Sequence, residues 1–458
     1  MIPSIGTPQT HIEIVELFPN PQDAVPLPER PNLKQYKKLA KDLVKVSKGG
    51  HPNGIRNWAS EWVRRLARLT NLEITPGLPV ENQRWIEGVS EFAARKLLAE
   101  KRKCALADAQ FVIARSHGLM SWPGLVKHIE QLAENNSSVA QFEAAADAIV
   151  SGDMPTLKRL LEETPGLAQQ RSTREHRATL LHYASANGVE GYRQKTPKNI
   201  VQIADLLLKS GAAVDAEADV YGGGSTTLGL AATSVHPEVA GVQEPLLQVL
   251  LDHGASIDKP DPAGNKPLAV VACLANGRPR AGEFLARHGA QLELESAAGL
   301  GRMDVVGTFF DSDGSLKPPA TKRRLQLGFL WACRYSRENV VAFLVHHGAD
   351  PVDPADSGAS ALHWAAGGGH LSIVKMLLRR GAPLEELNAW GGTALEHAGW
   401  GFEHSAPGTD FAPVFDTLLA AGAKIRGSWL AWIEKVKGRS VEEKARVAKV
   451  FRGYGATV

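Results

Sequence analysis

Ser360-Ala-Leu-His-Trp-Ala-Ala-Gly-Gly-Gly-His-Leu-Ser-Ile-Val-Lys-Met-Leu-Leu-Arg-Arg-Gly-Ala382 decides the fold. Ser360 can cap a helix by accepting a hydrogen bond from a free backbone N–H. Leu362, Ala365 and Ala366 share one helical face, and the small alanines permit close approach of a neighbouring helix. The glycines up to Gly369 end that helix and open a tight turn. Ile373, Val374, Leu377 and Leu378 then recur at helical spacing, predicting a second helix with one buried face that Gly381 ends. Two helices this short cannot bury such faces alone, so units of this kind must stack.

The rest of the chain supplies the units to stack against. A Gly-Ala pair follows a Leu-rich run at Gly211-Ala212, Gly254-Ala255, Gly289-Ala290, Gly348-Ala349, Gly381-Ala382, Gly422-Ala423 and Gly455-Ala456. Several gaps are about 33 residues, and longer ones hold insertions. The widest, from Gly289 to Gly348, spans two periods, with a degenerate unit ending near Asp313-Gly314. This pattern resembles the ankyrin repeat. His182 and His363 stand in that family's histidine slot, in Thr179-Leu-Leu-His-Tyr-Ala and Ser360-Ala-Leu-His-Trp-Ala, whereas Gly229, Ala269, Leu330 and Glu396 fill it elsewhere and weaken the usual staple. The resemblance implies an all-α solenoid of about seven helix-pair units with short β-hairpin-like loops and terminal caps. The expected parts are an extended Pro-rich segment (1–30), a basic helical domain (31–135), the repeat array (140–427) and a C-terminal capping repeat (428–458). In that cap, Ser440 and Glu443 form a capping box for a last helix that Gly453 ends. The arrangement is also similar to a group of bacterial ankyrin proteins with a helical domain in front, through Leu106-Ala-Asp-Ala-Gln-Phe-Val-Ile-Ala-Arg, Ser121-Trp-Pro-Gly-Leu and Tyr221-Gly-Gly-Gly-Ser-Thr-Thr. That similarity implies no established activity.

At 458 residues, the chain is too long for one ordinary core. No stretch approaches the roughly 18 uncharged apolar residues of a membrane span. Met1 to Pro31 has no basic region followed by a long apolar run, so no secretory signal is expected. Cys104, Cys273 and Cys333 are scattered, without metal-ligand spacing, and fit a reducing compartment, which makes the cytoplasm the expected location. Net charge is only +3, but from Arg30 to Arg68 the bases face only Asp42 and Glu61. Helices are predicted over Leu33–Val46, over Ile55–Leu69 with Trp58, Trp62, Leu66 and Leu69 on one face, and over Phe92–Ala105 and Leu106–Ser116. Gly118 reads as a C-cap glycine, and Ser121 opens a further helix with Pro123 in its first turn. Asn135-Asn-Ser-Ser links this domain to the array. A helix, a glycine turn and a helix also describe a DNA-reading unit, but the second helix offers only Lys127 and His128 as polar arms. Nucleic-acid association through the basic helices is therefore a lesser alternative.

The ankyrin resemblance places the first helix of each unit along a concave groove. The expected groove residues are Tyr183, Trp331, Arg334, Tyr335, Trp364, Trp390, His397 and Trp400. So many large aromatics along one wall suit a binding surface, because they bury much area at low entropic cost. Gly367 and Gly368 are expected to leave open floor beside Trp364, and Arg334 to clamp a carboxylate or phosphate. The expected pocket rim is Tyr221, His236, Gln243 and His404, beside inserts at 234–243 and 401–412. The Tyr221 glycine run lacks the Gly-Lys-Ser/Thr ending of a phosphate loop and is read as the turn before a helix. His363, Glu396, His397, Glu403, His404 and Arg334 are chemically able groups, but nothing in their spacing demands catalysis. No nucleophile elbow, metal-ligand motif or dinucleotide fingerprint is present, so no catalytic residue, metal or cofactor is assigned. The expected function is a non-enzymatic scaffold that binds a protein or peptide. An anionic or sugar-like small molecule is possible as partner, no membrane contact is expected, and the sequence sets no oligomeric state. The alternative is an enzyme or small-molecule binder whose groove pocket is closed by the two inserts.

Overall fold

The computed structural model describes residues 20–70, 80–98, 105–134, 136–259, 267–355, 357–405 and 408–456. The start of the Pro-rich segment, Cys104, Asn135 and residues 406–407 of the second insert lie outside them. The described residues are mainly helical, and they form two compact units that part between Lys259 and Pro260.

The first unit begins with helices Leu33–Ser47, Pro52–Leu69, Val80–Leu98, Leu106–Ser116 and Trp122–Leu132. Asn32 caps the first by accepting from Lys34 N–H at 2.9 Å. Tyr36, Leu43, Trp58, Trp62 and Leu66 are buried, but Leu69 is half exposed at the last turn, so the expected apolar stripe stops one residue short. The third helix starts at Val80 rather than Phe92, because Trp85, Ile86 and Val89 extend the buried face of Ala93 and Leu97 upstream of Phe92. Gly118, at φ +74°, closes the fourth helix: its N–H donates to Arg115 C=O, and Leu119 N–H to Ala114 C=O. Ser121 caps the fifth, accepting from Gly124 N–H at 3.3 Å.

Helix pairs follow: Ser138–Ser151 with Met154–Glu163, Leu180–Tyr183 with Ile200–Lys209, and Thr227–Thr233 with Gln243–Asp252. Before the last pair, Glu217–Ala218 and Ser225–Thr226 form an antiparallel hairpin. Its turn is the glycine run: Tyr221 has φ +52° and Gly222 and Gly223 have φ above +90°, conformations open mainly to glycine. The connection from 171 to 177 joins this array to the five helices before it. Arg115 pairs with Glu175, Glu175 N–H donates to Gly118 C=O, and His128 Nδ1 lies 2.8 Å from Thr173 Oγ1. Beneath it, Glu143 receives Arg174 at 2.9 Å and Arg193 at 2.7 Å on its two oxygens. Glu190, fully buried, lies 2.5 Å from Arg174 Nε, as an ion pair too bent for a hydrogen bond.

The second unit repeats the motif: Ala269–Ala275 with Pro279–Arg287, Leu294–Leu300 with Met303–Val306, Lys322–Arg334 with Glu338–His346, Ala361–Gly367 with Leu371–Arg379, Ala394–His404 with Ala412–Ala420, and Trp429–Lys435 with Val441–Gly453. Ile373, Val374 and Leu377 are fully buried, each worth about 1.5–3 kcal/mol relative to exposure. The Gly289–Gly348 gap holds two pairs, the first with a second helix of only four residues. Ser440 and Glu443 make the expected reciprocal cap at 3.1 and 2.8 Å.

Ser360 does not cap as expected. Its hydroxyl bonds His363 Nδ1 at 2.7 Å, and Nδ1 also accepts from Ser360 N–H at 3.3 Å. His363 Nε2 consequently carries the proton and donates to Gly392 C=O in the following repeat at 3.1 Å. His182 does the same between Thr179 and Ser225 C=O. Glu396, expected to weaken this staple, restores its local half: its carboxylate accepts from Thr393 N–H at 2.7 Å.

Candidate functional site

The expected groove residues divide between the two units. In the first, Tyr183 is fully buried rather than exposed. Its helix is only four residues long, and the connection after it folds back through the Gly191–Arg193 turn. Arg193 then lies over the Tyr183 ring at 5.8 Å, and Phe142 meets the ring edge-on. Gln243 is buried as well. Its amide donates to the carbonyls of Ala231, Ala232 and Ser234 at 3.0–3.2 Å and so closes the end of the preceding helix. It forms no rim. His236 is half-buried in a short helix, Val235–Val239, made by the insert. Tyr221 is 58% exposed, with its hydroxyl within 2.9 Å of Gln22 and Asn187 amide oxygens.

In the second unit most expected residues converge. Trp331 is the exception: it is buried, and a Cβ on Gly299 would lie 3.2 Å from its own. It serves packing between neighbouring helix pairs, not an open wall. The next turn of the same helix carries Arg334, half-buried, with its guanidinium 4.6 Å over the Trp364 ring and 5.3 Å over the Tyr335 ring. Tyr335 is fixed by donating to Leu274 C=O, and Arg334 C=O accepts from His370 Nε2 at 2.9 Å. Trp364 is buried edge-in, donating to Ser357 Oγ at 3.1 Å while offering a face to Arg334. Among the described residues, the Arg334 guanidinium has aromatic faces and no carboxylate. Two ring faces attract such a cation and leave its N–H groups for an acceptor.

His397 is the hub. Rings of Trp364, Trp400, His363 and Trp390 stand 5.4, 5.6, 6.0 and 6.4 Å from it. It is 8% exposed, and its Nδ1 is buried without a hydrogen-bond partner among the described residues. Burial, then the neighbouring His363 and Arg334, push its pKa down to about 3, so the ring is neutral near pH 7. Trp390 is 45% exposed on its loop. Trp400 is half-buried and stacked on the exposed His404 at 5.0 Å and 20°.

The expected open floor at Gly367 and Gly368 is absent. A Cβ at Gly367 would fall 2.8 Å from the His397 ring, and one at Gly368 would fall 2.2 Å from His370. Glycine is needed there because neighbouring rings fill the space. Gly401 does the same for backbone, since its Cβ would overlap Gly367 C=O at 2.0 Å. Sequence reading missed His370 and Ser357, which orient Arg334 and Trp364. Both act through the folded chain, and neither belongs to a motif that would announce it.

A family model for ankyrin repeats, in three copies, matches residues 329–406. The chain carries ankyrin repeats. The matched segment includes every residue of the Arg334–His397 patch, so the patch sits on ankyrin helices and their loops. No curated protein matches. The human ASB11 ankyrin repeat domain is a similar solved structure, 21% identical, covering 62% of this chain and 99% of its own at a TM-score of 0.32. The ankyrin repeat domain of Bcl-3, a unique member of the IkappaB protein family, is 22% identical, covering 56% of this chain and 93% of its own at a TM-score of 0.28. No helix of the described residues is long and apolar enough to cross a membrane.

Proposed function

We propose that this ankyrin chain is a non-enzymatic cytoplasmic scaffold that binds a protein segment at the patch formed by Arg334, Trp364, Trp390, His397, Trp400 and His404. In this reading residues 31–135 are a helical module in front of the array (140–427), and 428–458 cap it. The half-buried guanidinium of Arg334, lying over two rings and without a carboxylate partner among the described residues, carries the reading. A cation held this way is pre-organised for a carboxylate, and its hydrogen bonds to one are charge-assisted. Trp390 and the Trp400–His404 stack add exposed aromatic area beside it, the composition of an interface hot spot. The partner segment should therefore present an Asp or Glu side chain next to an apolar one. A free anionic small molecule satisfies Arg334 alone and leaves the aromatic area unused. The alternative of a pocket closed by two inserts draws no support from the first insert, whose Val235–Val239 helix is tied back by Gln243.

A displayed random-peptide library selected on the full chain tests this. Enriched peptides should carry an acidic residue, and calorimetry should show Arg334→Ala weakening them more than about tenfold, about 1.4 kcal/mol. Trp390→Ala should weaken them as well, and Arg334→Lys should restore only part of the loss. Peptides that bind all three variants as tightly as the unaltered chain would remove the patch from consideration.

A further inference from the structure

We infer that the paired helices Leu33–Ser47 and Pro52–Leu69 form a docking surface for the phosphate backbone of double-stranded DNA, separate from the Arg334 patch. Residues 30–70 contain eleven Lys and Arg against Asp42 and Glu61, a net charge of +9 in a chain of +3, so the remainder is −6. Lys34, Lys38, Lys41, Lys45 and Lys48 recur at spacings of four and three residues, and all are exposed. That places them along one helical face over about 21 Å, at about 1.5 Å per residue. A B-form duplex presents one phosphate per ~3.4 Å of axis on each strand, about six over that length, so each lysine has a phosphate within its reach.

The second helix extends the field. A Cβ at Gly54 would lie 3.8 Å from Val46 Cβ, and Arg65 acts electrostatically on Tyr36, so the two helices run antiparallel. Arg64, Arg65 and Arg68 thereby lie near the start of the lysine stripe, all exposed. Arg56 is paired to Glu87 at 3.6 Å, but no ion pair joins the stripe lysines or Arg64, Arg65 and Arg68 to a carboxylate among the described residues. A solvated face that merely kept the chain soluble would mix both signs.

Burial selects the occupant. Tyr36, Ala40 and Leu43 on the first helix, and Trp58, Trp62 and Leu66 on the second, are spent in the core. Neither helix retains an apolar face to insert into a bilayer. No Tyr or Trp is left on this surface as a stacking platform, which single strands require. Point cations without stacking or base-reading groups suit a duplex backbone, recognised by charge and without sequence preference.

Fluorescence anisotropy with the full chain and two labelled duplexes of unrelated sequence tests the assignment. Both duplexes should bind equally, and five phosphate contacts predict a loss of about 10²–10³-fold between about 50 and 200 mM salt. The triple variant Lys38→Gln, Lys41→Gln, Lys45→Gln should bind more than tenfold more weakly, with the salt slope reduced by about 3. Lys38→Arg, Lys41→Arg, Lys45→Arg should bind like the unaltered chain, with circular dichroism confirming that both variants fold. Absent duplex binding at low salt, unchanged binding by the Gln variant, or tighter binding of single strands, duplex RNA or phosphatidylserine vesicles would each overturn it.

Discussion

Replacing Glu143 by Gln keeps the shape of the side chain and removes the charge that two buried arginines share. Arg174 and Arg193 approach its two oxygens at 2.9 and 2.7 Å, and both arginines are buried. At an effective dielectric of about 20, each contact is worth about 5–6 kcal/mol of gross attraction. Desolvation of the ions consumes most of that gain, yet removing one partner leaves the others buried without compensation, a loss of about 3–5 kcal/mol. Glu190 would face both guanidinia alone, with Asp147 reaching Arg193 Nε at 2.8 Å from a mostly exposed position. For a unit of this size, about 2–4 °C of Tm accompanies each kcal/mol, so the melting transition should fall by about 6–20 °C. Calorimetry is the assay, because two compact units need not melt as one. Only the transition of residues up to Lys259 should move. The pH response supplies a second readout. Burial raises the Glu143 pKa, but Arg174 and Arg193 outweigh it and hold the carboxyl below its ordinary value; Glu190 is held lower still, mainly by Arg174 against the same burial. A depressed folded pKa contributes stability above the unfolded value of 4.5, lost as pH falls through the folded value. The unit should therefore weaken below about pH 4.5, and less steeply in the Gln variant. A Tm change under about 2 °C, or an unaltered acid limb, would refute the claim that these charges lock the connection.

Further outcomes follow from the second unit. His397 has its pKa lowered from 6.5 to about 3 by burial first, so its neutral form contributes stability that is full above pH 6.5 and declines as pH falls toward 3; His397→Phe should flatten that limb of a denaturation series. Gly367→Ala drives a methyl to 2.8 Å from the His397 ring and should cost about 1–3 kcal/mol in urea unfolding. Trp331→Ala should cost about 3–5 kcal/mol while leaving affinity for selected peptides unchanged, since the ring is packing rather than surface. Tyr183→Phe removes a buried hydroxyl without a partner and should leave stability unchanged or raise it by up to about 1 kcal/mol.

The paired helices, the last capping box and the turn made by the Tyr221 glycines were legible because each depends on residues close in sequence. The Gly-Ala pairs supply the register, and periodicity identifies the buried faces. Periodicity does not report where a first helix stops. The helix ending at Tyr183 stops after four residues, and the connection beyond it covers a ring that a regular repeat leaves open. The same limit hid the crowding at Gly367, where a ring two helices onward in sequence occupies the space. No local signal marks Glu143, Arg174, Glu190 and Arg193 as buried, since such residues are rarely buried unless paired, and their pairing spans up to 50 positions of chain, far beyond any local pattern. The Arg334 patch lies between these extremes. Its residue types and repeat positions marked it, but which aromatics offer a face and which are spent in packing depended on the fold.

The histidine staple gives the array a direction. His182 and His363 each complete their hydrogen bonding with a carbonyl of the repeat that follows, at Ser225 and Gly392. A growing chain emerges N-terminus first, so each of these rings waits with an unanswered donor until about thirty to forty further residues have arrived. A chain cut just before Gly392 would strand His363 in the same way, while a cut just after Gly381 on the other fragment would strand no histidine of this kind. Shortening the array is therefore asymmetric, and the C-terminal side is where a truncated fragment begins to open.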